Sequence, residues 1–404
     1  MKKFFLLILI FLICFIILLL GYKKQTDSKS VVFWTLQLGT FDKYINGVIK
    51  EFEAENPEIK IKWVDVPYSE GEKRTLAALL SDNPPDLINL TPDFSFLAAQ
   101  RGALSEIPSD FMKDYPKALY DSLSYNGKFF AVPFYLTSAV TYANGELMNK
   151  ADIPAVPATF DAMYSDSDKI KALNNVYTEM PALTENDTFL KILAKNNIDI
   201  LNVKDKQKLT DFYKKYRKYY QNGYIPKESL TQGHREALEK FMSGQIVYLQ
   251  AGANFLNIIK ENAPKIYENT EISYQLKGSS GKYDFSVMNL IIPSKSKHKS
   301  DALKFAGFLT NEKNQLEFAK LTSVLPANKY ALKNNYFDIT DTKEDKARNI
   351  SASQIDNAGK IFSQTDNKKN IITLLNTATG RVITENTPIE TIVTDFYNDL
   401  SNIK

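Results

Sequence analysis

The residue types that most often perform catalysis are scarce in this sequence. The 404-residue chain contains two histidines, His234 and His298, and one cysteine, Cys14. Both histidines stand in charged stretches that we expect to be exposed, so a histidine-dependent triad or metal cluster is hard to build. One cysteine allows neither an internal disulfide nor a zinc site made of several cysteines. We therefore expect no catalytic residue, no metal and no cofactor.

Two other patterns could support chemistry, but neither is specific. The stretch Gly278–Lys282 contains two glycines and a lysine, yet it lacks the glycine spacing and the following Ser or Thr of a phosphate-binding loop. The 47 Asp and Glu residues could supply the acid pair of a glycosidase. Such a pair needs two carboxyl groups about 5–10 Å apart. Sequence alone cannot place the pair, so a secreted glycoside-processing enzyme stays an alternative.

A polar cluster that follows a short apolar run indicates ligand binding instead. Asp86 starts the run that ends at Leu90, and Thr91-Pro92-Asp93 comes directly after it. In an open α/β sheet, side chains just beyond the carboxyl ends of the strands meet in a crevice. We therefore expect this cluster to face a ligand cleft. Asp93 also precedes an apolar helical pattern, so it would equally suit a helix N-cap.

The elements that must position this cluster alternate between strands and helices. Val31–Thr35 is β-branched and aromatic, and a helical spacing of apolar residues follows from Phe41 to Phe52. Further strands are predicted at Ile59–Val64, Asp86–Leu90, Ala139–Tyr142 and Ile246–Gln250, and a turn followed by a strand at Gly127–Tyr135. Helices are predicted at Arg74–Leu80, Asp93–Arg101, Leu209–Asn222, Glu236–Ser243, Ala302–Leu309, Ile371–Thr379 and Ile389–Leu400. This alternation is typical of α/β proteins with parallel sheets. Because one core rarely organises more than ~250–300 residues, we expect two lobes.

Charge and hydropathy bound the setting in which the protein works. The formal net charge is +3, which gives no electrostatic case for nucleic acid. Residues Phe4–Leu20 are 17 consecutive apolar residues, enough to enter a membrane. The segment could be an uncleaved anchor, which we favour, a lipoprotein signal that uses Cys14, or a cleaved signal peptide.

Several stretches taken in order resemble a known family. They include VVFWT, EFEAENPEIKIKW, NPPDLINL, LAAQRGALSEI, YNGKFFAVPFYLTSAVTYANGELMNKADIP and FMSGQIVYLQAGANF. Together they resemble the family-1 extracellular solute-binding proteins of bacterial ABC importers, the sugar-receptor group that includes maltose-binding protein. The resemblance extends over nearly the whole chain.

The resemblance implies a two-lobed periplasmic-binding-protein-like fold of type II. Each lobe would hold a mostly parallel sheet flanked by helices, and the chain would cross between the lobes three times. We expect the crossings near Leu136–Ala139, Tyr283–Ser286 and Leu325–Ala327. Residues 1–30 would then form the membrane segment and linker, 31–137 plus 286–325 lobe one, and 138–285 plus 326–404 lobe two.

The resemblance also indicates where a ligand would bind. The ligand-binding residues expected from the matching motifs are Gln37, Asp93, Phe94, Tyr135, Thr137, Asn254 and Phe255. Aromatic rings can stack on sugar faces while amides and carboxylates bind hydroxyls, so this set suits a small carbohydrate. The tryptophan common in the glycine loop of the family is missing beside Asn254, and the region Asp366–Lys369 is polar, so a maltodextrin is not expected.

The sequence thus predicts a membrane-tethered monomeric receptor outside the cytoplasm. It would capture a sugar or similar solute by hinge closure and present it to the transmembrane subunits of an ABC permease. A polyamine or organic acid could replace the sugar. A sensor that uses the same scaffold without transport is a further alternative.

Overall fold

The computed structural model describes residues 29–117, 119, 123–359 and 367–403. The segment Phe4–Leu20, predicted to enter a membrane, lies outside these residues. Within the described ranges, no helix is long and apolar enough to cross a bilayer.

Strands and helices alternate in the first part of the described chain, up to Gln100, and longer runs of strands or of helices follow. The strands are β1 Lys29–Leu36, β2 Ile59–Val66, β3 Leu87–Leu90, β4 Ser124–Tyr125, β5 Lys128–Phe129, β6 Val132–Thr137, β7 Ala139–Asn144, β8 Tyr248–Gly252, β9 Thr270–Ser273, β10 Ser286–Ile291 and β11 Leu325–Pro326. The α-helices are α1 Asp42–Glu55, α2 Tyr68–Leu80, α3 Pro92–Gln100, α4 Gly145–Lys150, α5 Phe160–Ser165, α6 Ser167–Lys171, α7 Thr188–Lys195, α8 Lys206–Gln221, α9 His234–Met242, α10 Phe255–Asn262, α11 Pro264–Asn269, α12 Lys299–Leu309, α13 Glu312–Thr322, α14 Lys329–Leu332, α15 Lys343–Ser353, α16 Lys368–Thr384 and α17 Ile389–Ile403. Short 3₁₀ helices lie between some of them.

The first sheet has the spatial order β11-β6-β10-β3-β1-β2 among the described strands. Strand β1 is parallel to β2 and β3, so the parallel pairing predicted for the first three strands is confirmed. Strand β10 runs antiparallel to both β3 and β6, and β11 runs antiparallel to β6. The first sheet is therefore mixed.

The second sheet corrects the expectation of a mostly parallel sheet in each lobe. It has the order β8-β7-β9 among the described strands, and both pairings are antiparallel. Strand β7 follows β6 of the first sheet and runs away from the junction between the two sheets. The last residues of β8 and β9, Gly252 and Ser273, pair with Ala139 and Thr141 near the start of β7. Strands that return toward the junction between the sheets must run against the strand that leaves it, which explains the antiparallel pairing.

Each of these two sheets is covered by helices around its own hydrophobic core, while β4 and β5 pair with each other in a separate two-stranded sheet. In the first core, Phe305 of α12 meets Phe33 of β1 and Phe52 of α1 edge to face, at ring-centroid distances of 5.3 and 5.0 Å. In the second core, helices α8, α16 and α17 contribute buried side chains such as Tyr213 and Leu375. The mixed α/β content and the two sheets agree with the predicted two-lobed type II fold. We call the body around the first sheet lobe one and the body around the second sheet lobe two.

Within the described residues, three segments connect the two sheets or their cores. Ser138 lies between β6 of the first sheet and β7 of the second, and residues 274–285 join β9 to β10. Helix α15 packs Ile350 among side chains of the second sheet and Ala352 in the first core. Phe337, after β11, also packs in the first core. The boundaries predicted for the two lobes stay a prediction.

Candidate ligand-binding cleft

A cavity of about 190 Å³ opens on lobe two beside the segments that join the sheets. It is lined by Ala139, Phe160, Glu179, Met180, Pro181, Ala182, Glu185, Thr188, Lys191, Ile192, Lys195, His234, Tyr248, Leu249, Gln250 and Asp284. Apolar and aromatic side chains thus share the wall with carboxyl, amide and ammonium groups. Small-molecule sites in proteins usually have this composition, with a few polar groups that fix the orientation of the ligand.

Helix α7 supplies one side of the cavity because of its residue spacing. Phe189, Leu190 and Leu193 are buried in the second core. Thr188, Lys191 and Lys195 recur at intervals of three and four residues, so they share another face of the helix. That face lines the cavity.

A buried ion pair closes the end of the cavity nearest the junction. The Nζ atom of Lys195 lies 3.0 Å from Oδ1 of Asp284, and their side chains are 7% and 21% exposed. Burial raises the pKa of the Asp284 carboxyl, but the charges of Lys195 and Lys191 outweigh it, so the net pKa lies below its ordinary value. Asp284 is therefore a carboxylate at neutral pH.

This ion pair is bonded to a buried polar cluster at the junction between the lobes. Lys195 donates a hydrogen bond of 2.8 Å to Oε1 of Gln275. The Gln275 amide donates to the Ser138 hydroxyl and to the Asp284 carbonyl, each over 2.8 Å. The Gln354 amide donates to the same Ser138 hydroxyl over 3.0 Å, and its Oε1 accepts from the Gln275 N–H. All three segments that join the lobes therefore meet at one cluster.

Glu179 is the most deeply buried carboxyl group in the cavity wall. Glu179 is 7% exposed, and its Oε1 atom accepts a 2.6 Å hydrogen bond from the hydroxyl of Tyr164. Burial raises the pKa of Glu179 to about 7, although the Tyr164 hydrogen bond and the Lys195 charge oppose the shift. Glu179 can therefore donate or accept a hydrogen bond near neutral pH.

Glu185 and His234 also line the cavity. Oε2 of Glu185 accepts a 2.9 Å hydrogen bond from the backbone N–H of His234, the first residue of α9. The His234 ring is half-buried, contrary to our expectation that it would be exposed, because it meets the Phe255 ring edge to face at 5.1 Å. Burial lowers the pKa of His234 below its usual range, so the imidazole is mostly neutral at pH 7.

Comparison with known families agrees with this geometry. Residues 38–316 match the family model of the bacterial extracellular solute-binding proteins, which is more than half of the chain. The chain belongs to this family. The resemblance inferred from sequence motifs is confirmed, and so is the function at family level, that of a solute-binding protein of ABC transporters.

Individual relatives of this solute-binding protein are distant in sequence and similar in fold. A binding protein of Brucella abortus (strain 2308) is 26% identical over 310 residues, which cover 73% of this chain and 75% of the relative. The diacetylchitobiose binding protein DasA of Streptomyces coelicolor is 23% identical over 342 residues, covering 78% and 77%. A crystal structure described as an oligosaccharide periplasmic-binding protein of Synechococcus sp. MITs9220 is 25% identical, with a TM-score of 0.83 and coverage of 92% of this chain and 98% of that one.

Among the predicted ligand residues, Asp93 lies where the two lobes of the solute-binding protein meet. Helix α3 begins at Pro92 with Thr91 at its N-cap, so Asp93 is in the first turn rather than at the cap. Both carboxylate oxygens of Asp93 accept hydrogen bonds of 2.8 Å from Lys368 of lobe two. Burial lowers the pKa of Lys191 in the cavity wall, but the charges of Asp187, Asp284 and Asp93 raise it above its ordinary value. The charge of Asp93 therefore contributes to the raised pKa of one residue of the cavity wall.

Gln37 and Tyr135 lie at strand ends in lobe one. Gln37 follows β1 with a φ of 54°, is exposed, and donates its backbone N–H to the carbonyl of Val66 at the end of β2. Tyr135 on β6 is half-buried, and burial, followed by the charges of Tyr68 and Asp65, raises its pKa. The ends of β1, β2 and β6 thus bring these polar groups to one region of lobe one.

The other predicted residues are more dispersed. Phe94 is half-buried against the first core, and Thr137 ends β6 opposite Ser286 of β10. Asn254 is exposed before α10, while Phe255 reaches the cavity indirectly through the His234 ring. None of the seven predicted residues, all of which lie in described parts of the chain, belongs to the cavity lining itself.

Sequence reasoning missed the polar wall of the cavity. Glu179 and Glu185 stand in a stretch without helical or strand periodicity, and Lys195 ends a short helix whose pattern we did not recognise. The spacing of Thr188, Lys191 and Lys195 beside the apolar positions of α7 is a signal that could have indicated a polar face. No comparable pattern in the sequence indicates Asp284. Its place in the cavity wall becomes visible only through its contact with Lys195, which is distant in sequence.

Proposed function

We propose that the cavity, together with the facing strand ends of lobe one, binds a sugar or a similar small polar solute. The observation that supports this most directly is the mixed cavity wall, which Phe160 and Tyr248 line together with Glu179, Glu185 and Gln250. A sugar presents flat C–H faces to aromatic rings and hydroxyls to carboxylates and amides. The wall cations Lys191 and Lys195 each have a carboxylate partner, so they leave no unpaired positive charge for an anionic ligand. This pairing disfavours an organic acid.

The relatives support a carbohydrate in particular. One curated relative is named for diacetylchitobiose, another, from Streptococcus mutans, is a multiple sugar-binding protein, and a structural neighbour is described as binding oligosaccharides. A volume of about 190 Å³ on lobe two is below the ~300–1,000 Å³ typical of sites for drug-sized ligands. A monosaccharide, or one ring of a longer saccharide, is the ligand size that we infer.

Binding would act through closure of the lobes, without a covalent step. A solute that contacts both lobes binds the closed form more tightly than the open form, so it shifts the equilibrium toward closure. Lobe one would supply its contacts from the strand ends, and lobe two from the cavity. The residues proposed for these contacts from sequence are Gln37, Asp93, Phe94, Tyr135, Thr137, Asn254 and Phe255.

The closed form would deliver the solute to an ABC permease outside the cytoplasm. The family is extracellular. We further propose that Phe4–Leu20 tethers a monomer to the membrane, and that residues 31–137 plus 286–325 and residues 138–285 plus 326–404 move as the two lobes. Permease genes beside the gene of this protein would support a transport role over a sensor without transport.

The proposal is tested by thermal shift on the full chain in detergent, with a panel of monosaccharides, maltose and diacetylchitobiose. A ligand that binds only the folded state raises its melting temperature. Glu185→Gln should weaken binding of the active saccharide about tenfold or more, because hydrogen bonds to a charged group contribute ~1.5–3 kcal/mol. Glu72→Gln, on the exposed face of α2, is the matched control and should leave binding unchanged.

Two outcomes would count against this function. If none of these saccharides raises the melting temperature while a polyamine or an organic acid does, the solute class is wrong. If a bound glycoside is hydrolysed, as measured by chromatography of the recovered ligand, the protein is an enzyme. If Glu185→Gln and Glu72→Gln weaken binding equally, the cavity is not the binding site.

A further inference from the structure

One ion pair joins the two lobes directly across the cleft. The Nζ atom of Lys368 lies 2.8 Å from each carboxylate oxygen of Asp93. Asp93 belongs to α3, whose Ala98 and Ala99 are buried in the first core. Lys368 is the first residue of α16, whose Ile371 and Leu375 are buried in the second core. Each partner is thus fixed to a different lobe.

The pair is only partly shielded from solvent. Lys368 keeps 15% of its side chain exposed and Asp93 keeps 48%. The charge of Asp93 also helps to raise the pKa of Lys191, which belongs to the cavity wall. The contact between the lobes therefore includes an ion pair that water and salt can reach.

We propose that Lys368 is a positioning residue between the lobes, which holds lobe one against lobe two through Asp93. The pair uses only side chains of the protein, so it favours the closed arrangement whether or not a solute is bound. A ligand then completes a closure that the protein already favours in part. This inference depends on the two-lobed fold and not on the identity of the solute.

The expected size of the effect follows from the exposure of the pair. Asp93 is half exposed, so solvent and salt screen the attraction, and the pair should change the closed-to-open ratio only about two- to fivefold. Each lobe keeps its own core when the pair breaks. Loss of the pair should therefore shift the hinge equilibrium without unfolding either lobe.

The experiment measures the distance between the lobes in the full chain in detergent. Cysteines replace Lys50 on α1 and Lys218 on α8, both exposed, and Cys14→Ser removes the natural thiol. Spin labels on the two cysteines report the populations of closed and open forms by pulsed electron resonance. Lys368→Met and Asp93→Asn should each raise the open population about two- to fivefold at low salt.

A double-mutant cycle makes the result decisive. If the two side chains act as a pair, Lys368→Met combined with Asp93→Asn should open the protein no more than either change alone. Lys369→Met, the exposed neighbour on the same helix, is the matched control and should behave like the parent. High salt should raise the open population of the parent toward that of the variants, and it should leave the open population of the variants unchanged.

Either of two results would overturn the proposal. In one, the distance distribution of Lys368→Met matches those of the parent and of Lys369→Met at low salt. In the other, the effects of the two single changes add in the double variant, so the residues act separately. A circular dichroism spectrum that matches the parent confirms that each variant is folded before its distances are compared.

Discussion

Replacing Lys195 by methionine tests the buried cluster that joins the cavity to the connections between the lobes. The change keeps most of the volume of the side chain but removes its ammonium group. It deletes the 3.0 Å ion pair with Asp284 and the 2.8 Å hydrogen bond to Gln275. Asp284 is then left as a largely buried carboxylate without its nearest cation.

The loss of stability can be bounded from the burial of the two partners. Removing one partner of a fully buried ion pair costs ~3–5 kcal/mol because the other charge stays buried without compensation. Asp284 is 21% exposed and also feels the charge of Lys191, which reduces the penalty. We therefore expect Lys195→Met to lower the free energy of unfolding by about 2–3 kcal/mol at neutral pH.

The effect should depend on pH in a defined direction. In the parent the pKa of Asp284 lies below its ordinary value, so its ion pair stabilises the fold above the unfolded pKa of about 3.9. That contribution is lost as the pH falls through the lower folded pKa. The variant lacks it, so the difference in stability between parent and variant should narrow as the pH falls below about 4.

Urea unfolding followed by circular dichroism measures the difference. Lys214→Met is the matched control, because its ion pair with Glu390 is as short, 2.8 Å, while the side chains are 50% and 61% exposed. Such surface pairs contribute ~0–1 kcal/mol. The reasoning is refuted if Lys195→Met and Lys214→Met lower the stability equally. Adding Asp284→Asn to Lys195→Met should recover part of the loss.

Two further predictions concern the cavity and the packing of glycines. Burial raises the pKa of Glu179 to about 7, whereas the pKa of a glutamate in the unfolded chain is about 4.5. The parent should therefore lose stability as the pH rises from about 4.5 to about 7. Glu179→Gln should flatten this pH dependence, as measured by urea unfolding midpoints across that range. A Cβ on Gly278 would lie 2.4 Å from the carbonyl oxygen of Lys195, so Gly278→Ala should cost about 1–3 kcal/mol. Gly47 lies on the exposed face of α1 and has nothing within 4 Å of its Cβ position, so Gly47→Ala should stabilise by about 0.5–1 kcal/mol. An equal effect of both alanine changes on the free energy of unfolding would contradict the packing argument.

The strands and helices with regular apolar spacing could be predicted from the sequence. Val31–Thr35 lies inside β1, and the helical spacing from Phe41 to Phe52 lies largely inside α1, because burial on one face fixes the pattern in both cases. Strand β10 was missed, since buried Asn289 interrupts its apolar run. Asn289 is in the middle of the first sheet, where its partners are distant in sequence, and local pattern gives no sign of them.

The candidate site was predicted less completely than the fold. The end of β3 was expected to carry a polar residue toward the cleft, and Asp93 does lie at the contact between the lobes, bonded to Lys368. Its contact with a solute stays a prediction. The carboxyl groups of the cavity could not be predicted, because Glu179 gains its role from burial against Tyr164 and its neighbours rather than from any motif.

The polar cluster at the junction explains how a solute in the cavity could act on the whole molecule. The hydroxyl of Ser138, between β6 and β7, accepts hydrogen bonds from both Gln275 and Gln354, which belong to the other two connections. Hydrogen bonds are directional, so a rotation at one connection must lengthen or exchange bonds at the others. Lys195 bonds to the same Gln275 and lines the cavity. A solute that displaced or oriented the Lys195–Asp284 pair would therefore act on hydrogen bonds of all three connections, and this is the route that we propose for a concerted closure.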